Sequence, residues 1–226
     1  VVACMAIGSA SGLAAVQARD LVRRDSLLES ARASLELIGL RVELARARVE
    51  DVQQKARVGA VGPEALAAAQ AELRAMETRF VRERLNIEEI RATSQPPRDG
   101  LNAPLVGQRD FVRERMQLDL VAAQDRLTET ERQLAEIKRR VAVGVAGPLE
   151  QVQVEVELAK ARAELAFLNE RRNLRRSGVE KGSSADALAR LSEAAQIRRE
   201  IEIASEQLRL ARLRLETIRK LGQTGA

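Results

Sequence analysis

Glu88 and Glu89 are neighbouring carboxylates, the residue type that general acid–base catalysis uses in pairs. They sit among arginines at helical spacing and read as solvated surface charges. Gly59, Ala60, Val61, Gly62 and Pro63 form a glycine-rich turn. It lacks the Lys-Ser/Thr pair that a phosphate-cradling loop needs. Cys4 is the one cysteine and histidine is absent. Ser-His and Cys-His pairs are therefore excluded, as are zinc sites of the usual Cys/His kind. Phe-Val-Arg-Glu-Arg occurs twice, starting at Phe80 and at Phe111, and both phenylalanines are expected to plug a core near one end of the helices. The residues point to no enzyme, with no catalytic, cofactor or metal site.

What remains is a pattern of turns. The elbow at Gly59, Gly62 and Pro63 recurs as Gly144, Gly147 and Pro148, and Gly222 and Gly225 give a third Gly-x-x-Gly. Each follows a long stretch with helical periodicity. Glycine at C′ stops a helix and proline at N1 starts one, so the first two elbows predict helical hairpins.

Composition agrees. The 226 residues are 45% hydrophobic and only 1% aromatic, the bias of long helices and coiled coils rather than sheets. The prolines, at 63, 96, 97, 104 and 148, all lie in elbows or in one connection, where none breaks a helical run. Thirty-eight basic residues against 33 acidic give a net charge of +5, with both signs interleaved along solvated helix faces. No aromatic stacking platform accompanies the basic residues, so nucleic acid is not an expected partner.

The expected fold is all-α: five helices forming long antiparallel coiled-coil hairpins, with an N-terminal membrane segment. Apolar stripes mark each helix. The first carries Leu35, Ile38, Val42, Ala45, Val49, Val52 and Ala56; the second Leu66, Ala69, Leu73, Met76, Phe80, Ile87 and Ile90. The third has Met116, Leu120, Ala123, Leu127, Thr130, Leu134, Ile137 and Val141; the fourth Val154, Leu158, Ala161, Leu165 and Leu168. The fifth has Ile201, Ala204, Leu208, Ala211, Leu215 and Ile218. The organisation read from this is a membrane segment over 1–16, a helical stalk over 17–34 and a first hairpin over 35–93. A linker (94–108), a second hairpin (109–176), a second linker (177–185) and a fifth helix (186–226) follow. Short elbows imply helices running up and down in turn, so every elbow would meet at one tip.

Residues 1–16 are uncharged and apolar or small. As a helix they would rise about 24 Å, a little short of the roughly 30 Å hydrocarbon core. Gly8 and Gly12 form a small-xxx-small pair suited to packing against a partner's membrane helix. Two other readings stand beside it: Val1, Val2, Ala3 and Cys4 look like a lipobox with Cys4 as lipid anchor, and the stretch could end an uncleaved signal sequence. Arg19, Arg23 and Arg24 favour a cytoplasmic body by the positive-inside tendency, which long translocated domains escape. The second helix is too short to cover the first beyond about Leu28, so Leu21, Val22 and Leu27 are expected to need a partner.

The elbow from Arg57 to Leu66, with its Val58-Gly59 turn and Glu64 opening the next helix, resembles the periplasmic helical hairpins of TolC-type outer-membrane efflux proteins. Val143, Gly144, Gly147, Pro148 and Glu150 look like a second copy. That resemblance implies a helical hairpin module whose tip docks on another protein. The expected localisation is a bacterial membrane, with the N-terminal segment as anchor and the helical body in the periplasm, the cytoplasmic side being the alternative. The family's outer-membrane strands have no counterpart here, since nothing alternates like a barrel strand. Lys55 and Arg57, Arg139 and Arg140, and Arg219 and Lys220 precede the elbows. Helix dipoles explain cations there, and gathered at one tip they would also make a basic surface. The expected partners are other membrane-complex subunits, met through the N-terminal helix, stalk and tips, together with membrane lipid. The leading reading is a non-enzymatic scaffold or accessory subunit of a membrane complex, with a TolC-like transport component or adaptor as the alternative.

Overall fold

A computed structural model describes residues 8–223. Five helices account for nearly all of them: α1 (Gly8–Arg57), α2 (Pro63–Thr93), α3 (Phe111–Ala142), α4 (Pro148–Lys181) and α5 (Ala185–Gln223). Among the described residues there is no β-strand, only an isolated bridge between Val106 and Arg109.

The chain divides into two compact units. One holds α1, α2 and Pro104–Arg115; the other holds Gly100–Ala103 and the chain from Met116 onward.

In the first unit the expected seams are the buried ones. Val42, Ala45, Ala69, Ile87 and Ile90 are buried, and the half-buried Leu35, Ile38, Val49 and Val52 continue the α1 stripe. Contacts step down α2 as they step up α1. Leu28 and Ala31 pack on Ile87 and Ile90. A Cβ on Gly39 would stand 3.6 Å from the Phe80 ring. Arg46 pairs with Glu77 at 2.8 Å, and Arg48 with Glu72 at 2.7 Å. These exposed pairs contribute little stability each, but they fix register.

In the second unit α4 is apolar on two faces. Leu165, Phe167 and Leu168 pack with Leu120 and Ala123 of α3. Toward α5, Arg209 reaches Glu155 at 3.1 Å, Arg199 reaches Glu164 at 2.5 Å, and Arg198 pairs with Glu170. The face that α5 turns inward carries Leu188 and Ala195, both buried, with half-buried Ile203, Leu210 and Leu213 beyond them. It is not the stripe read from the sequence: Ile201, Ala204, Leu208, Ala211, Leu215 and Ile218 are all exposed. The helix carries two apolar stripes, and α4 takes the other one.

Three further expectations change. The linker placed over 177–185 shrinks to 182–184, because α4 runs on to Lys181 and stops at Gly182 in the left-handed region, φ 63°. Gly178 can stay helical there because it leaves room for Leu188, whose Cδ1 would lie 2.7 Å from an added Cβ. The third elbow does not form at Gly222, which lies within α5, and Gly225 is outside the described residues. Of the membrane segment over 1–16, residues 1–7 are also outside the described residues. From Gly8 the apolar run lasts only to Val16 before Gln17, Arg19 and Asp20, and no described helix is long and apolar enough to cross a membrane.

Candidate functional site

The two proline elbows are built alike, down to their hydrogen bonds. In the first, the Ala60 N–H donates to the Lys55 carbonyl at 2.9 Å and the Gly59 N–H to the Ala56 carbonyl at 3.1 Å. In the second, Val145 donates to Arg140 at 2.9 Å and Gly144 to Val141 at 3.0 Å. This 6→1 and 5→2 pattern is the Schellman motif, with glycine at C′. It requires the left-handed backbone that Gly59 (φ 73°) and Gly144 (φ 71°) adopt. Gly62 and Gly147 are extended N-caps, each followed by its proline at the first helical position. The second copy carries further contacts: Glu150 accepts a hydrogen bond from the Gly147 N–H at 3.2 Å, and the Ala146 N–H donates to the Arg140 carbonyl at 3.2 Å.

The elbows expose apolar side chains beside charged ones. Val58 is 79% exposed and Val143 73%, with Val145 similarly bare. The cations beside them are partly engaged. Lys55 pairs with Asp51 at 2.7 Å and Arg139 with Glu136 at 3.5 Å. Arg57, Arg140 and Arg219 are exposed. Of the other candidate residues, Gly8 and Gly12 lie in the first turns of α1 and Cys4 lies outside the described residues, as does the Lys220 side chain.

A second feature was not anticipated: two buried arginines hold the connection after α2. Arg115 is 1% exposed and Glu89 2%. The Arg115 Nη1 donates to Glu89 Oε2 at 2.6 Å, Nε to Asp99 Oδ1 at 2.8 Å, and Nη2 to the Arg98 carbonyl at 2.6 Å. The Arg98 N–H donates to the other Glu89 oxygen at 3.3 Å. In the second unit, Arg175 Nη1 donates to the carbonyls of Leu101 (2.8 Å) and Ala103 (2.6 Å). Glu89 is thus not the solvated surface carboxylate expected. An unpaired buried charge would be costly, and here every charge has partners.

Glu88 does remain at the surface, where Arg109 bridges it at 2.5 Å and Glu114 at 2.7 Å. The Arg109 hydrogen bond holds the Glu114 carboxyl below the usual carboxylate range. Arg109 also lies over the Phe111 ring, 4.5 Å from its centroid. Phe111 is buried, as expected of a core plug, whereas Phe80 is half-buried against Gly39.

The signal that could have revealed the clamps is position. Arg175 continues the seam spacing of Leu158, Ala161, Leu165 and Leu168, and Arg115 lies between Val112 and Met116, which are buried. A charge on an apolar face is a charge with a buried partner. Each clamp orders backbone within its own unit. Among the described residues no group of three or more His, Cys, Asp or Glu could hold a metal ion. No family model, curated protein or solved structure matches the chain.

Proposed function

We propose that the chain is a non-enzymatic helical scaffold, an accessory subunit that braces a larger membrane-associated assembly through protein contacts. One observation carries this reading. Large apolar side chains stand exposed: Leu37, Leu40 and Leu44 in helical register on α1, whose opposite face is already filled, and Val58 and Val143 in the elbow turns. Ordered apolar stripes of this kind fit helix docking better than solvent. Leu21 and Val22, also exposed, belong to the same proposal as the stalk's contact with a partner subunit.

Within this reading the helices pair as antiparallel coiled coils, which the falling ladder of α1–α2 contacts supports. The elbows then form docking tips, and residues 1–16 tether the body to a membrane with the helical body in the periplasm. Nucleic acid is not among the partners. The shared elbow turn with its bare valines favours a second reading, a TolC-like component or adaptor of a transport assembly. The mass and composition of the detergent-purified particle test the choice. One or two copies among unlike subunits support the scaffold, whereas a closed ring of three or more copies supports transport. Complete release by alkaline carbonate would remove the membrane tether from the proposal.

A further inference from the structure

The exposed stripe of α5 has its own charge pattern. Ile197, Ile201, Ala204, Leu208, Ala211, Leu215 and Ile218 repeat at alternating steps of three and four, the seam spacing of a coiled coil. Ile197, Ile201, Leu208, Leu215 and Ile218 are each about half exposed or more. At 1.5 Å per residue the stripe runs about 30 Å. Near its C-terminal end, Leu210, Ala211, Leu215 and Ile218 face Val154 and Val156 of α4 across a groove of about 900 Å³.

The residues that flank the stripe, each just before a seam position, change sign along it: Glu193 and Glu200 in the first half, Arg214 in the second. Glu200 and Arg214 are exposed, and the Glu200 carboxylate accepts a hydrogen bond from Gln196 on its own helix at 2.9 Å. When two such helices run in opposite directions, this flank faces its own equivalent on the other strand. With Leu208 of one copy set against Ala204 of the other, Glu200 of each copy meets Arg214 of its mate, twice by symmetry. Ile197 and Ile201 of one copy then fall beside Leu215 and Ala211 of the other, at the groove. The remaining flank brings Arg198 toward Arg212, but Glu170 already neutralises Arg198. A parallel pairing would instead set Arg214 against Arg219 and Glu200 against Ser205, and its one opposite-charge match, Glu193 with Arg198, falls on an arginine that Glu170 already neutralises.

We infer that α5 is a self-association surface, and that a second copy of this chain covers the Ile201–Leu208–Leu215 stripe by antiparallel α5–α5 pairing. The pairing stands whether or not unlike subunits join it.

Sedimentation of the full chain tests this, with Glu200→Arg, Arg214→Glu and the double exchange compared with wild type. Wild type is expected at twice the 24.9 kDa chain mass. Each single exchange turns two attractive pairs into repulsive ones and is expected to weaken dimerisation roughly tenfold or more, and the double exchange to restore it. Both positions are exposed, so helix content by circular dichroism should be equal in all four proteins. A wild type that stays monomeric at high micromolar concentration overturns the inference. So does a dimer indifferent to the single exchanges, or a double exchange no better than its parents.

Discussion

Arg115 and Glu89 are joined by a 2.6 Å hydrogen bond with side chains only 2% and 3% exposed, so that a segment rich in proline and glycine is pinned from inside. The same guanidinium holds Asp99 and the Arg98 carbonyl. Breaking a buried pair by removing one partner leaves the other charge stranded, at a cost of about 3 kcal/mol or more. Arg115→Met and Glu89→Ala are each expected to lose stability on that scale in urea titrations. Arg46→Met and Glu77→Ala, which remove an exposed pair, should each change it by less than about 1 kcal/mol. Equal effects at both sites would show that burial does not set the cost.

Arg175 makes a different prediction, because its partners are carbonyls of the connection itself. Arg175→Met removes the donor for Leu101 and Ala103 and leaves both oxygens unsatisfied in a buried setting. Limited trypsin digestion should then cut after Arg98 much faster than in wild type, while the elbows are cut at unchanged rates. An unchanged rate after Arg98 would mean that other contacts order the segment.

The elbow glycines are not equivalent, although the motif repeats them equally. Gly59 and Gly144 have positive φ, whereas Gly62 has φ −76° and Gly147 φ −87°. Alanine at either of the first two should cost about 1 kcal/mol or somewhat more, and at either of the second two much less. Thermal unfolding of the four single variants measures the difference, and a reversed order would contradict the Schellman assignment.

Acid should loosen specific ion pairs. Arg109 lowers the Glu114 carboxyl pKa, and Gln151 followed by Arg209 lowers that of Glu155, both from an ordinary 4.5. A carboxyl whose folded pKa is depressed adds stability that is fully present above its ordinary pKa and lost as pH falls through the folded one. Between about pH 6 and about pH 3, the Glu114→Gln/Glu155→Gln protein should therefore lose less stability than wild type. Parallel pH profiles would remove these two groups from the acid response.

Much of the fold is legible because long helices write their buried faces as a period. Val42, Ala45, Ala69, Ile87, Met116 and Leu158 are read directly from it, and glycine and proline place both elbows. Two things are not legible. The α5 stripe through Leu208 reads as the inward seam, since a helix with two apolar stripes does not say which one its own chain will fill. The clamps at Glu89, Arg115 and Arg175 escape notice because alternating charges usually mean solvated surface. Only the register of those charges, on seams rather than between them, distinguishes the buried ones. Of the apolar segment over 1–16, residues 1–7 lie outside the described residues, and no described helix is long and apolar enough to cross a membrane.

The most direct measurement concerns the leucines on the outer face of α1. Full-length protein, purified from its native host with its partners, is compared with the Leu40→Asp/Leu44→Asp variant, and co-purifying subunits are quantified by mass spectrometry. Both leucines are exposed, so the variant should fold with unchanged helix content. A scaffold that docks through this face is expected to bring down stoichiometric partner subunits, and the variant to lose them. Wild type with no stoichiometric partner, or a variant that retains every one, would contradict docking through that face and the scaffold role proposed for it.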